Sequence, residues 1–272
     1  MKEAKTYIQN TAELVHQELD SLSRNWTDLP PVLQEAMRYS LLAGGKRIRP
    51  VLSIATLEAL GGDGNSALPF GCAIEMIHTY SLIHDDLPAM DDDDYRRGKW
   101  TNHKVYGEAI AILAGDALLT EAFHLFAQGA ENANLSASTS LTIIKEAVRY
   151  AGAKGMINGQ VLDMQNENRT ITLEELEEVH RRKTGDLITF SVRVGALVAG
   201  AKKETLDALT TFAYLLGLAF QIQDDILDVV GDQAVIGKPV GSDVNNHKAT
   251  YPALLGIEQS KERLQRCIQD AR

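Results

Sequence analysis

Apolar residues recur along most of this chain at intervals of three and four, the period of a helix with one buried face, and strand-like alternation is hard to find. The pattern predicts an all-α protein. Helices are expected over about Ala4 to Ser23, Pro31 to Leu42, Val51 to Leu60, Leu68 to Asp86, Ile110 to Gln128 and Ser138 to Gly152. Four more follow over Leu173 to Arg182, Thr184 to Ala199, Glu204 to Val230 and Tyr251 to Ala271. Glycine, proline and small polar residues punctuate the gaps, as in Gly61 to Ser66 and Gly231 to Thr250. None of these gaps reads as a hinge, so one large domain of 272 residues around a central cavity is expected.

Charge sharpens the picture. The chain carries a net charge of −10, which disfavours a nucleic-acid surface, because neutralising phosphates normally takes a basic face. Its two cysteines, Cys72 and Cys267, have no metal-type spacing, and no run approaches the length of a membrane span. Met1 to Asn10 contains no apolar stretch of the kind that marks a leader, so the expectation is cytoplasmic.

The acidic residues are clustered. Asp85, Asp86, Asp91, Asp92, Asp93 and Asp94 fall within ten positions, and Asp224, Asp225 and Asp228 form a second knot. Asp224 and Asp228 share one helical face a turn apart, where like charges repel. A solvated surface would tolerate that, but the flanking Leu215 to Phe220 and Ile226 to Val230 make the helix apolar around most of its surface. Buried carboxylates need partners, and a hard divalent cation such as Mg²⁺ is a fitting one. In the first knot, Pro88 ends the helix near Asp86, so Asp91 returns from a loop. His78 and Ser81 lie seven and four residues before Asp85, on roughly its face.

Basic groups complement these knots: Lys46 and Arg49 behind Gly44 and Gly45, then Arg96 and Arg97, Lys183 beside Thr184, and Lys238 and Lys248. Carboxylates that need Mg²⁺, together with cations that need anions, imply a polyphosphate ligand. There is no P-loop and no Gly-rich fingerprint after a strand. Large apolar helices beside such a site suggest an ionic head with a greasy tail, as in a prenyl diphosphate.

The ordered segments GGKRIRP, EMIHTYSLIHDDLPAMDDDDYRRG, ILAGDALL, HRRKTG, FQIQDDILDVVG and GKPVGSD through KATYPALLG resemble the isoprenyl diphosphate synthase family. The bacterial farnesyl diphosphate synthases are especially similar, with four residues between Asp86 and Asp91. The resemblance implies the isoprenoid synthase fold, a homodimer, and condensation of isopentenyl diphosphate with dimethylallyl and geranyl diphosphates. It assigns isopentenyl diphosphate to Lys46, Arg49, His78 and Arg97. It assigns Mg²⁺, with Mn²⁺ able to substitute, to Asp85, Asp86, Asp91, Asp224, Asp225 and Asp228. Arg96, Lys183, Lys238 and Lys248 would grip the allylic diphosphate, Thr184 and Gln221 would lie along the developing cation, and Tyr80 with Ser81 would set product length. Relatives continue past the position of Arg272 into a further helix and basic tail. The alternatives are a geranylgeranyl diphosphate synthase, a terpene cyclase, which typically carries a different second metal motif, and a non-catalytic partner subunit.

Overall fold

The computed structural model describes residues 2–167, 169–230 and 249–272. Helices dominate them: α1 (Lys2–Arg24), α2 (Pro31–Leu41), α3 (Ile48–Ala59), α4 (Leu68–Asp85), α5 (Asn102–Tyr106), α6 (Glu108–Asn132) and α7 (Ala137–Ala151). The series continues with α8 (Met156–Asn166), α9 (Leu173–His180), α10 (Asp186–Val198), α11 (Lys203–Val230), α12 (Tyr251–Leu255) and α13 (Ile257–Asp270). The all-α expectation is met, with one small exception, a hairpin of β1 (Tyr95–Arg96) and β2 (Lys99–Trp100).

The described chain divides into two compact units, one of Met1–Ile144 with Val194–Gly200, the other of Lys145–Arg193 with Ala201–Arg272. In the first, α4 is buried on almost every side, from Leu68 and Phe70 through Ile74, Met76 and Ile77 to Tyr80 and Ile83. It packs on α6, α3, α2 and α1. Close approach is made possible by missing side chains: a Cβ on Gly115 of α6 would lie 2.2 Å from His84 Nε2, and one on Gly71 would lie 3.1 Å from Pro50 of α3. ILAGDALL thus has a packing role, since its glycine receives the imidazole that immediately precedes Asp85.

The second unit is built around α11, which packs on α13, α12 and α9. Its core joins Ile171, Leu176, Ala219, Ile222, Ile226, Tyr251, Leu264 and Cys267. Between α9 and α10 the chain does not break, as the sequence pattern suggests, but widens into a π-helical turn over Arg181–Gly185. Such turns carry an extra residue and are frequent at functional sites. Gly159 of α8 lies against it, where a Cβ would come 2.1 Å from the Lys183 backbone nitrogen.

Three further differences from the sequence expectation have physical causes. Helix α8 falls within a stretch assigned to no helix, because its Gly159 and polar residues blur the apolar stripe. The expected helix over Tyr251 to Ala271 is divided at Gly256, whose φ of 78° ends α12 and starts α13. Finally, α6 and α11 are long and apolar enough to cross a membrane by length and composition, although no span was expected. Core helices pass the same test, and each buries a face here, Ala111, Ala114 and Leu118 in α6 and Ala213, Ile222 and Ile226 in α11.

Candidate active site

The first unit gathers cations around the start of α3. Gly44 and Gly45 adopt φ of 91° and 123°, and Arg47, at φ 49°, precedes the helix. Three basic residues follow in four positions, but they do three different things. Lys46 is exposed. Arg47 is buried, donating from Nη1 to Glu75 Oε1 at 2.6 Å and from Nη2 to the Leu41 carbonyl at 2.6 Å. Arg49 is half-buried, with its Nε enclosed and without a hydrogen-bond partner, a donor in want of an acceptor.

Arg97 joins this group by an unusual route. It and Gly98 form the two-residue turn of the hairpin, both with positive φ, 53° and 75°. That twist carries the Arg97 guanidinium onto the glycine loop, where it donates to the Gly44 carbonyl and lies so close to Gly45 that a Cβ there would be 2.8 Å from Cζ. His78 completes the group. Burial first, then the positive charges of Arg49, Arg97, Arg96 and Arg47, hold it well below the usual imidazole range. The Arg49 and Arg97 guanidiniums are lowered mainly by burial and partly supported by Glu75. A neutral imidazole among arginines with one buried carboxylate is an anion-binding arrangement.

The adjacent acidic loop closes tightly. Helix α4 ends at Asp85, and after Pro88 the chain doubles back so that the Asp91 N–H donates to the Asp85 carbonyl at 2.9 Å. Asp92 allows the return with φ 49°. Asp85 and Asp91 are therefore neighbours, as the sequence reading requires. Asp86 has another commitment: Arg96 Nε donates to its two oxygens at 2.7 and 3.0 Å, and Arg96 Nη2 lies 2.5 Å from Oδ1. Its carboxyl is raised by burial and pulled back by Arg96. Tyr80, one turn before Asp85, is buried edge-on against His84 at 5.7 Å. The Ser81 hydroxyl donates to the His78 carbonyl at 2.9 Å.

In the second unit, Gln221, Asp224, Asp225 and Asp228 line one face of α11. Asp225 and Asp228 are buried and Asp224 is half-buried. Asp225 accepts the Tyr251 N–H at 2.9 Å and lies 3.4 Å from His180 Nε2. The second aspartate of each pair is thus held by the protein, Asp86 by Arg96 and Asp225 by Tyr251 and His180. Lys183 and Thr184 sit on the π turn, and Lys183 Nζ pairs with Asp163 Oδ2 of α8 at 2.6 Å. Lys238 and Lys248 lie outside the described residues.

Sequence reasoning missed Glu75, Asp163, His180 and Tyr251. Three of them stand inside the ordered segments, Glu75 opening EMIHTYSLIHDD, His180 opening HRRKTG and Tyr251 within KATYPALLG, and only Asp163 had no such signal. Their partners lie at distances along the chain that periodicity does not report.

The donor chemistry fits Mg²⁺. In the first unit Asp85 and Asp91, and in the second Asp224 and Asp228, offer hard carboxylate oxygens, the donor type that this ion takes alongside water and phosphate oxygens.

A family model described as polyprenyl synthetase matches residues 30–272. The chain is 57% identical over 235 residues to a farnesyl diphosphate synthase of Geobacillus stearothermophilus, covering 86% of this chain and 79% of that protein. It is 53% identical over 245 residues to one of Bacillus subtilis (strain 168), covering 90% and 82%. Among solved structures it resembles a geranyltransferase of Helicobacter pylori complexed with magnesium and isoprenyl diphosphate, with a TM-score of 0.82, 35% identity and 98% and 88% coverage. On the family match and these identities, the chain belongs to the polyprenyl synthetase family.

Proposed function

We propose that this protein is a farnesyl diphosphate synthase, a prenyltransferase that adds isopentenyl diphosphate to dimethylallyl and then geranyl diphosphate. The observation that carries it is the 52 to 57% identity to three bacterial proteins of that name. The cation group at the start of α3 and the two acidic faces support it physically. A cyclase has no use for a site that holds isopentenyl diphosphate, and both acidic motifs are whole here.

In this reading Lys46, Arg49, His78 and Arg97 hold the isopentenyl diphosphate. His78 serves as a neutral hydrogen-bonding partner, and Glu75 balances the charge between turnovers. Asp85, Asp91, Asp224 and Asp228 would hold Mg²⁺, which when bound draws negative charge off the allylic diphosphate and eases its departure. Asp86 and Asp225 hold the same segments in shape through Arg96, His180 and Tyr251. Lys183 supplies a point charge to the departing diphosphate, with Asp163 keeping its ammonium in place. Thr184 and Gln221 present oxygen dipoles to the electron-poor carbon. The double bond of isopentenyl diphosphate attacks that carbon, and a proton leaves to the released diphosphate. A single catalytic domain, a homodimer and a cytoplasmic location belong to the same proposal.

Incorporation of labelled isopentenyl diphosphate into acid-labile allylic product tests it. The reading requires product with Mg²⁺ or Mn²⁺ and none in excess chelator, and metal-independent elongation would refute it.

A further inference from the structure

We infer that Tyr39 is a positioning residue for Arg97: its hydroxyl ties the hairpin to α2, the helix that leads into the glycine loop, and so sets where the Arg97 guanidinium meets isopentenyl diphosphate. The inference rests on the role given to Arg97 above.

A hairpin with strands of two residues has little to hold it in place by itself. Burial does not supply the hold either, because Tyr95 and Trp100 stack on one another at 4.2 Å while 58% and 48% exposed. Its placing therefore comes from ties at its edges. Strand β1 is fixed to α4 through Arg96, whose Nε meets both oxygens of Asp86. Strand β2 is fixed to α2. The Tyr39 hydroxyl donates to the Trp100 carbonyl at 2.8 Å, and the Lys99 ammonium stands 5.9 Å from the centre of the Tyr39 ring. Directly after β2, the buried Asn102 donates from Nδ2 to the Ala36 carbonyl and the Ser40 hydroxyl, each at 2.8 Å. Ala36, Tyr39 and Ser40 are spaced by three and four, on one face of α2. The Tyr39 ring is braced in turn, edge-on against Tyr106 at 5.6 Å.

Helix α2 also carries the other half of the cation group. It ends at Leu41, three residues before Gly44, and the Leu41 carbonyl accepts from Arg47 Nη2 at 2.6 Å. One helix thus fixes the glycine loop at its end and the hairpin along its side. Arg97 bridges the two from the hairpin tip by donating to the Gly44 carbonyl. Loosening β2 should therefore shift Arg97 relative to Lys46 and Arg49, while Arg96 stays in the grip of Asp86. The consequence falls on the isopentenyl side of the reaction rather than the allylic side.

Steady-state kinetics on the full chain, with geranyl and isopentenyl diphosphates and Mg²⁺, test the inference. Tyr39→Phe keeps the ring with its neighbours Lys99 and Tyr106 and removes only the hydroxyl. Loss of one neutral hydrogen bond corresponds to a roughly fivefold change in an equilibrium constant, so KM for isopentenyl diphosphate should rise about fivefold. KM for geranyl diphosphate and kcat at saturation should change by less than about twofold, and the melting temperature should fall by about 2 to 4 °C. Arg97→Ala should raise KM for isopentenyl diphosphate by about tenfold or more. Because Tyr39 acts through Arg97, adding Tyr39→Phe to Arg97→Ala should raise it no further. A merely structural role would move both KM values alike and would persist in the Arg97→Ala background. Either of those results, or an unchanged KM for isopentenyl diphosphate in Tyr39→Phe, overturns the inference while leaving the synthase reading intact. Absence of elongation by the wild type overturns both.

Discussion

Glu75 is a buried acid facing Arg47, Arg49 and Arg97, and its removal should be felt throughout the first unit. Its carboxylate meets Arg47 Nη1 at 2.6 Å with side chains 2% and 1% exposed. It also offsets the burial that lowers the Arg49 and Arg97 guanidiniums. Glu75→Gln keeps the shape and one acceptor but leaves the Arg47 charge unpaired in an apolar surrounding. Breaking a buried pair on one side costs about 3 to 5 kcal/mol, and the low end suits a variant that retains a hydrogen bond. At about 2 to 4 °C per kcal/mol for a chain of this size, the melting temperature should fall by roughly 6 to 12 °C. Replacing both partners, Arg47→Met with Glu75→Met, removes the orphaned charge and should regain most of the loss. Inorganic diphosphate should raise the melting temperature of Glu75→Gln more than that of the wild type, because the anion supplies the charge that Glu75 no longer does. Urea and thermal melts of the three proteins decide it. A loss under about 1 kcal/mol for Glu75→Gln would refute the account of this cluster.

Asp186, buried in the first turn of α10, has its carboxyl raised by burial to about 6, against the lowering influence of Arg181 and Arg182. The folded state holds this proton more tightly than the unfolded one, so its contribution to stability falls as pH rises from about 4 to about 6. Asp186→Asn should abolish that slope, gaining up to about 3 kcal/mol on the wild type across the window in urea melts at a series of pH values. Asp85→Ala and Asp224→Ala should each reduce turnover far more than stability, in steady-state kinetics set beside melts, and near-normal turnover in either would remove that residue from the metal site. Tyr80→Ala should cost about 3 kcal/mol and lengthen the product from C15 toward C20, read by chromatography of the dephosphorylated alcohols. A variant that still stops at C15 would show that Tyr80 is not the floor of the cavity.

What could be read in the sequence is what local spacing controls. The apolar stripes gave both ends of α4 and the start of α11 to within a residue or so, because each is long and Pro88 marks the stop of the first. Asp85 with Asp91, and Asp224 with Asp228, were legible for the same reason. Pairings across the chain were not. Arg47 stands between Lys46 and Arg49, and nothing local says that its partner is Glu75, 28 positions on, brought to it by α4. Asp86 reads as a metal ligand until the tight hairpin swings Arg96 onto it. Strands of two residues leave no alternation to detect, and the π turn at Lys183 leaves only a discontinuity between two apparent helices. Gly256 divides α12 from α13, although a single glycine in a helical pattern is often tolerated and does not by itself mark an end.

The central claim is most directly tested by the chain length of the products made from isopentenyl diphosphate with dimethylallyl, geranyl and farnesyl diphosphates in turn, in the presence of Mg²⁺. A C15 diphosphate should accumulate from the first two primers, with little extension of the third. Accumulation of C20 from all three would contradict the assignment in favour of a geranylgeranyl diphosphate synthase, and cyclised hydrocarbon without use of isopentenyl diphosphate would contradict elongation altogether.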